Sequence, residues 1–513
     1  ANHALVLIQA ALSTDPENRP LRYVFDEAHH LFGAADSAFS AHLSGMETSE
    51  LRRWLVGAEG GSRSRSRGLK SRVEELIAGE IQAEKALDDA LRAARVLPGP
   101  GWHQRITDGR SEGPAEVFLS MVKAQVYARS ADADGPYALE AEPKPLIDGL
   151  GEAAMTLENA LAELSKPIGL LMASLHKMLV DEAEVLETST RVKLEAVTAS
   201  LERRALNQIS NWRAMLGALN ADTPSEFVDW FGVERISGRD FDVGFHRHWI
   251  DPTKPLADEV FKPAHGVAIT SATLTDRTGD PDFDWQVAEA RTGTHHLPTR
   301  PLQKAEASPF DYEKQLQIIV VGDVQKGDMD QAASAYRELF KAAGGGGLGL
   351  FTAISRLRAV ESRIREPLEN MGIPLLAQHV DPLDTGTLVD IFRSEEKACL
   401  LGTDAVRDGV DVPGKSLRVI VFDRVPWPRP DLLHKARRKA FGGKTYDEML
   451  TRLKLSQAVG RLIRRASDKG VFIMLDRAMP SRLESAFPSN AKVDRVGLKD
   501  AIAITRSFLN QDD

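Results

Sequence analysis

Leu21-Arg22-Tyr23-Val24-Phe25-Asp26-Glu27-Ala28-His29 decides how the rest of the chain is read. Leu21 to Phe25 is a short run of apolar and strand-forming residues, preceded by the polar loop Asp15-Pro-Glu-Asn-Arg-Pro20. A run bounded by turn residues in this way predicts a buried β-strand. Two adjacent carboxylates follow it directly. In that place Asp26 can hold a Mg²⁺ ion, and Glu27 can orient and deprotonate a water. The same pair also suits an acidic helix N-terminus, where the helix dipole favours carboxylates.

Further along, about 236 to 485, short apolar runs alternate with helical patterns. Gly266–Thr270, Leu316–Val321, Leu348–Thr352, Leu375–Gln378, Ala398–Gly402, Leu417–Asp423 and Val471–Leu475 read as strands. Met329–Ala343 and Leu357–Met371 read as helices between them. Alternation of this kind predicts an α/β fold with a mainly parallel sheet, whose ligands sit at the carboxyl ends of the strands. Residues 35–235 differ. Leu157, Leu161, Leu164, Ile168, Leu171, Leu175 and Met178 step by four and three along one helix face, and Leu194, Val197, Leu201, Ile209, Trp212, Leu216 and Leu219 form a second series. Pro167, with Ser165 as a cap, predicts a kink or two abutting helices. The two stripes are read as core packing of an antiparallel pair.

The chain has 513 residues, 42% of them hydrophobic and 27% charged, which excludes whole-chain disorder and a disulfide scaffold. No run approaches the ~18 apolar residues of a membrane span. A single cysteine, Cys399, rules out an internal disulfide or a cysteine-built metal site within these residues; a reducing cytosol fits this, and so would other compartments. The first residue is Ala1, without a signal peptide, and the chain is expected to begin inside a larger protein. The net charge of −9 hides an asymmetry: Arg424 to Lys469 holds 13 Lys and Arg against 4 Asp and Glu, +9 against −18 for the remainder. A basic block on an acidic chain points to a polyanion, with a solvated helix face as the plain alternative.

Three more groups can carry chemistry. Thr270-Ser271-Ala272-Thr273-Leu274 closes a predicted strand, and its hydroxyls can join the carboxylate pair in one network or simply cap a turn. Gly402-Thr403-Asp404 and Asp408-Gly409-Val410-Asp411-Val412-Pro413-Gly414 form a loop that allows close approach to a ligand. In Gln457-Ala-Val-Gly460-Arg461-Leu-Ile-Arg464-Arg465, positions 457, 461 and 464 would share a helix face, and planar arginine forks suit a phosphate.

In this order, the groups resemble the DinG/XPD-like superfamily 2 DNA helicases. Asp26-Glu-Ala-His29 is similar to motif II, Ser271-Ala-Thr273 to motif III, and Leu350-Phe-Thr352 with Ser355 to motif IV. Gly409-Val-Asp411-Val-Pro-Gly414 is similar to motif V, and Gln457-x-x-Gly460-Arg461-x-x-Arg464 to motif VI. Asn2-His-Ala-Leu5, Ser308-Pro-Phe-Asp311 and Arg424-Val-Pro426-Trp-Pro428 are lesser echoes. The long insertion between motifs II and III resembles the family's Arch domain. The family's phosphate-cradling loop would lie upstream of Asn2-His3. Phe441-Gly-Gly-Lys-Thr445 is not that loop, because position 438 is Arg where the first glycine belongs. The sequence therefore looks like a truncated helicase.

The resemblance implies RecA-like motor domains with parallel sheets and a helical insertion. The first such domain is expected at 1–34 and 236–325, the Arch-like insertion at 35–235, and the second motor domain at 326–513. It implies ATP and Mg²⁺ as cofactors, with an iron–sulfur cluster only in sequence upstream of these residues. Asp26 would bind the metal and Glu27 activate water. His29, Ser271 and Thr273 would couple nucleotide to DNA, and Gln457, Arg461 and Arg464 would address the γ-phosphate. Gly409, Asp411 and Gly460 would contact ATP, while Thr352, Ser355 and Thr403 would grip DNA. The basic run from Arg63 to Arg72 would touch phosphates or form a solvated loop. The implied partners are single-stranded DNA and forked duplex, tracked 5′-to-3′ by a cytoplasmic monomer, with no membrane. A truncated chain of this kind is expected to be inactive alone. A non-hydrolysing nucleic-acid-binding module and an RNA motor are the rival readings.

Overall fold

The computed structural model describes residues 2–12, 20–59, 67–130, 135–181, 186–236, 238–404, 406, 412 and 414–510. The chain forms two compact units, each assembled from separated stretches. One comprises Ala1–Tyr23, His30–Val267 and Pro430–Ala440; the other comprises Val24–His29, Ala268–Arg429 and Phe441–Asp513. Among the described residues, no helix is long and apolar enough to cross a membrane.

Among the described residues before 270, the strands are β1 (Arg22–Phe25), β2 (Ala41–Ser44), β3 (Leu139–Ala141), β4 (Phe227–Ile236), β5 (Arg239–Trp249) and β6 (Gly266–Ile269). β1 and β6 pair with each other as a two-stranded sheet. The remaining four form an antiparallel sheet in the order β2-β5-β4-β3.

In the first unit, that sheet shares one core with the helices. Phe231, Val233, Val243 and Phe245 of β4 and β5 pack into the same apolar cluster as Leu157, Leu161, Leu164, Ile168, Leu171, Leu175 and Trp212. The expected stripe is therefore buried, but two expectations change. Pro167 lies inside one continuous helix, Leu150–Asp181. The missing N–H leaves a single gap in a helix whose buried stripe runs on both sides of it, which holds the two halves in line. The insertion is also not purely helical and does not end at 235. The hairpin β4–β5 crosses that boundary, with Gly238 (φ +79°) in its turn, a left-handed conformation that favours glycine. Its inward residues complete the helical core, so the hairpin cannot be assigned to a different domain.

The helix Leu432–Ala440 belongs to this unit too. Arg437 holds it: the guanidinium donates to Asp36, to the carbonyls of Trp249 and Ile250, and lies over the Phe32 ring at 5.0 Å. Asp36 also accepts from His248 at 2.8 Å, and His248 Nε2 faces His42 Nε2 at 2.9 Å. Burial alone would raise the Asp36 pKa, but the bonds from His248 and Arg437 outweigh it and lower the value.

His246 stands beside this chain of contacts, stacked on Trp230 at 5.2 Å and edge-on to His42 at 5.0 Å. Burial, with His42 and His248 adding repulsion, lowers its pKa to about 3. An unfolded chain takes up that proton near pH 6.5, while the folded chain resists it. Stability is thus complete above about pH 6.5 and falls as the pH drops toward 3, with about 2 kcal/mol lost by pH 5. Urea unfolding at pH 7 and pH 5 should show that loss in the unaltered chain and about 2 kcal/mol less of it in His246→Phe. Equal pH dependence of the two would discard the assignment.

The second unit is built on a seven-stranded sheet: β7 (Leu316–Val321), β8 (Gly347–Leu350), β9 (Leu375–Ala377), β10 (Cys399–Gly402), β11 (Val419–Phe422), β12 (Gly470–Met474) and β13 (Lys492–Val496). Their order is β13-β7-β12-β11-β8-β10-β9, and every neighbouring pair is parallel. Side chains alternate between two cores: Leu316, Ile318 and Val320 enter one, Ile319 and Val321 the other. Burial on both faces is what a parallel sheet with covering helices requires. β8 uses glycine for close approach, since a Cβ on Gly349 would meet Leu401 at 2.6 Å and the Tyr336 ring at 2.8 Å. Each strand expected here is present. β13 was not expected, and the expected boundary at 326 changes as well, because β7 already pairs inside this sheet.

Candidate active site

β1 delivers the two carboxylates. Thr270 N–H donates to the Phe25 carbonyl and Ala28 N–H donates to the Thr270 carbonyl, both at 2.9 Å, so the turn after β1 is stitched to the end of β6. Asp26 Oδ1 accepts the Glu27 N–H at 3.0 Å. Glu27 itself has φ +49°, a left-handed conformation rare outside glycine and held here by the bonds on either side. Both acidic residues are exposed, and as hard oxygen donors they suit Mg²⁺.

The hydroxyl loop closes on the same place. His29 Nδ1 lies 2.9 Å from Ser271 Oγ and 3.2 Å from Glu27 Oε2. Ser271 Oγ also accepts the Thr273 N–H at 3.2 Å and is 3.5 Å from both Thr273 Oγ1 and Glu27 Oε2. Glu27, His29, Ser271 and Thr273 thus form one network across 244 positions of sequence.

The arginine segment is arranged differently from the expectation. The helix Lys444–Gly460 carries Gln457 but stops at Gly460, so Gln457, Arg461 and Arg464 do not share a helix face. Glycine is a poor helix former. The chain tightens after it: Arg461 N–H donates to Ala458 and Leu462 N–H to Val459. Asp468, buried, accepts the N–H groups of Arg464 and Arg465 at 2.9 and 2.8 Å. Gln315 donates to the carbonyls of Arg465, Ala466 and Asp468. Arg461 and Arg464 therefore stand on a fixed turn.

Thr352, Ser355 and Thr403 gather at the carboxyl edge of the parallel sheet. Phe351 N–H donates to the Gly402 carbonyl, which sets the ends of β8 and β10 side by side. Thr352 and Ser355 are exposed, and Thr403 donates to Gln378 Oε1 through both N–H and Oγ1. Gly409 and Asp411 lie outside the described residues. Gly409 to Ser416 also fits the phosphate-loop spacing G-x-x-x-x-G-K-S, a match that motif reading passed over. A phosphate loop leads from a strand into a helix. Here Gly414–Ser416 is a single 3-10 turn that leads into strand β11, and Ser416 Oγ is occupied by the Arg393 carbonyl. Cys399 is buried in β10, and burial pushes its thiol up to about 12, so it offers no thiolate to a metal.

Sequence reasoning missed three charged residues of the second unit. Arg356, one turn into the helix after Thr352, forms a two-pronged pair with the buried Asp423 at 2.6 and 2.7 Å. Arg452 of the helix Lys444–Gly460 pairs with Asp276, three residues past Thr273. Arg291 donates to the His29 carbonyl at 3.0 Å. None belongs to a recognisable spacing; an isolated arginine on a helix carries no signal until its partner is known.

Residues 336–493 match the helicase C-terminal domain family. The ATP-dependent helicase DinG of Mycobacterium tuberculosis is 38% identical over 236 residues, 44% of this chain and 34% of that protein. The ATP-dependent DNA helicase DinG of Photobacterium profundum is 23% identical over 506 residues, 94% of this chain and 66% of that protein. The solved structure of the S. tokodaii protein Xpd4 aligns with a TM-score of 0.46 and 12% identity over 95% of this chain and 79% of that one. The chain spans about a third of the length of the mycobacterial relative it matches. The matched residues hold most of the parallel sheet, its carboxyl edge and the arginine turn described above, and over them the chain is similar to helicases of the DinG type.

Proposed function

We propose that this chain forms part of an ATP-dependent DNA helicase that tracks single-stranded DNA 5′-to-3′ and separates a forked duplex. The observation that carries the reading is the network joining Glu27 and His29 to Ser271 and Thr273. It gives a water-activating carboxylate a direct route to the loop after β6. Asp26 would hold Mg²⁺ beside it, and a bound Mg²⁺ would supply charge neutralisation for the phosphates. Arg461 and Arg464, on their fixed turn, address the γ-phosphate. Thr352, Ser355 and Thr403 grip the DNA backbone at the carboxyl edge of the parallel sheet, where ligands of such sheets bind. Among the described residues, neither GK stretch of the chain provides a phosphate loop between a strand and a helix, so on this reading turnover requires a cradle that these residues do not supply. A non-hydrolysing nucleic-acid-binding module is the second reading, and that same observation favours it for the chain in isolation.

The test is binding by the chain itself. Single-stranded DNA should bind better than duplex or single-stranded RNA, and raising salt from ~50 to ~200 mM should weaken it at least about tenfold, as expected when several phosphate contacts release counterions. Fluorescence anisotropy with labelled oligonucleotides checks this. Affinity indifferent to salt, or a preference for RNA, would overturn the DNA reading.

A further inference from the structure

One pair of charges outside the recognised motifs ties two of them together. Asp276 lies in the turn after β6, and Arg452 lies in the middle of the helix that ends at Gly460. Arg452 Nε donates to Asp276 Oδ1 at 2.8 Å, and its Nη2 donates to Oδ2. The side chains are 7% and 3% exposed, so this is a desolvated fork rather than a surface contact. Such a pair has one favourable geometry, and movement of either end is costly.

The turn that carries Asp276 is tied to the Ser271–Thr273 loop. Arg277 has φ +54° and reaches back to the Ala272 carbonyl at 3.1 Å. Thr273, Asp276, Arg291, Met449 and Arg452 line one small, partly open pocket of about 10 Å³. From Thr273 the connection continues through Ser271 Oγ to His29 and Glu27. Arg291 secures the other side of His29 through its carbonyl. The helix Lys444–Gly460 is thus linked to Glu27 through the Arg452–Asp276 pair, the short stretch of backbone from Asp276 to Thr273, and the polar contacts of Ser271.

We propose that Asp276 and Arg452 are positioning residues that fix the Ser271–Thr273 loop, and through it Glu27, to the helix bearing Gln457. The proposal rests on the assignment of Glu27 to water activation. The pair touches no reacting atom. Its role is to hold the attacking geometry, where a shift of about 1 Å costs up to ~100-fold in rate.

The experiment separates positioning from packing in the full-length protein, by its ATP hydrolysis. A buried ion pair replaced by apolar residues of similar volume commonly keeps or gains stability. Asp276→Leu with Arg452→Met should then leave the thermal midpoint unchanged or raised. It should lower kcat for ATP about ten- to a hundredfold while KM for ATP stays within about twofold. Arg452→Lys keeps the charge but loses the fork, and it should lower kcat in the same direction in a folded protein, which serves if the double variant does not fold. Wild-type kcat in either folded variant overturns the proposal. Glu27→Gln is measured alongside. If it too retains full turnover, the assignment of Glu27 has failed; if it is inactive while the Asp276 and Arg452 variants are not, only the positioning role has failed.

Discussion

If the chain works in ATP hydrolysis as proposed, Glu27→Gln lowers turnover by about 10²–10⁴-fold and leaves ATP affinity nearly intact. Gln has the size and hydrogen-bonding reach of Glu but cannot accept the proton of an attacking water. The surroundings of Glu27 suit that proton transfer, since its side chain is 57% exposed and Oε2 is 3.2 Å from His29 Nδ1. Solvent access lets it meet a water, while His29 and the strained backbone fix its direction. Asp26, assigned to the metal, remains unchanged in the variant, which is why binding should survive. Steady-state ATPase assays, with nucleotide affinity measured separately, check this. Turnover within about threefold of the unaltered protein would remove Glu27 from the mechanism.

The residues read correctly from sequence share a physical property: their signal is local. Leu21 to Phe25 shows as a strand through its strand-forming residues, although it is half-buried and not buried as expected: Tyr23 and Phe25 face inward while Val24 is exposed. Leu316–Val321 shows as an apolar run interrupted only by Gln317 because both its faces are buried. The stripe from Leu157 to Leu175 shows because a helix repeats every 3.6 residues. What was missed is long-range. Arg437 gains its meaning from Asp36, 401 positions earlier, and Arg452 from Asp276, 176 positions earlier. Neither partner alters the local pattern of the other. β4 and β5 were legible in principle: Phe227-Val-Asp-Trp-Phe-Gly-Val and Arg239-Asp-Phe-Asp-Val-Gly-Phe carry strand-forming residues around the turn at Gly238. The stronger helical periodicity just before them masked that signal. The end of the helix at Gly460 was legible as well, since glycine is a common stop signal, but the spacing of Gln457, Arg461 and Arg464 matched a helical face and prevailed.

That change in the arginine segment alters the argument for its function without removing it. A helix face would have presented Arg461 and Arg464 by periodicity alone. The turn presents them through Asp468 and Gln315, whose bonds go to backbone atoms of the segment. Planar forks aimed at the charge that builds on a γ-phosphate are worth about 10³–10⁵ in rate. Lysine preserves the charge and loses the fork, so Arg461→Lys and Arg464→Lys should each cut ATP turnover severely, toward that range, with little change in DNA affinity. Arg465 differs. What the turn uses of it is its N–H, given to Asp468, and its carbonyl, taken by Gln315, and both survive substitution. Arg465→Lys should therefore be nearly silent. Turnover and DNA binding measured on the three variants decide the matter. If all three weaken DNA binding alike and spare turnover, the turn is a basic DNA-binding surface, and neither arginine acts on the phosphate.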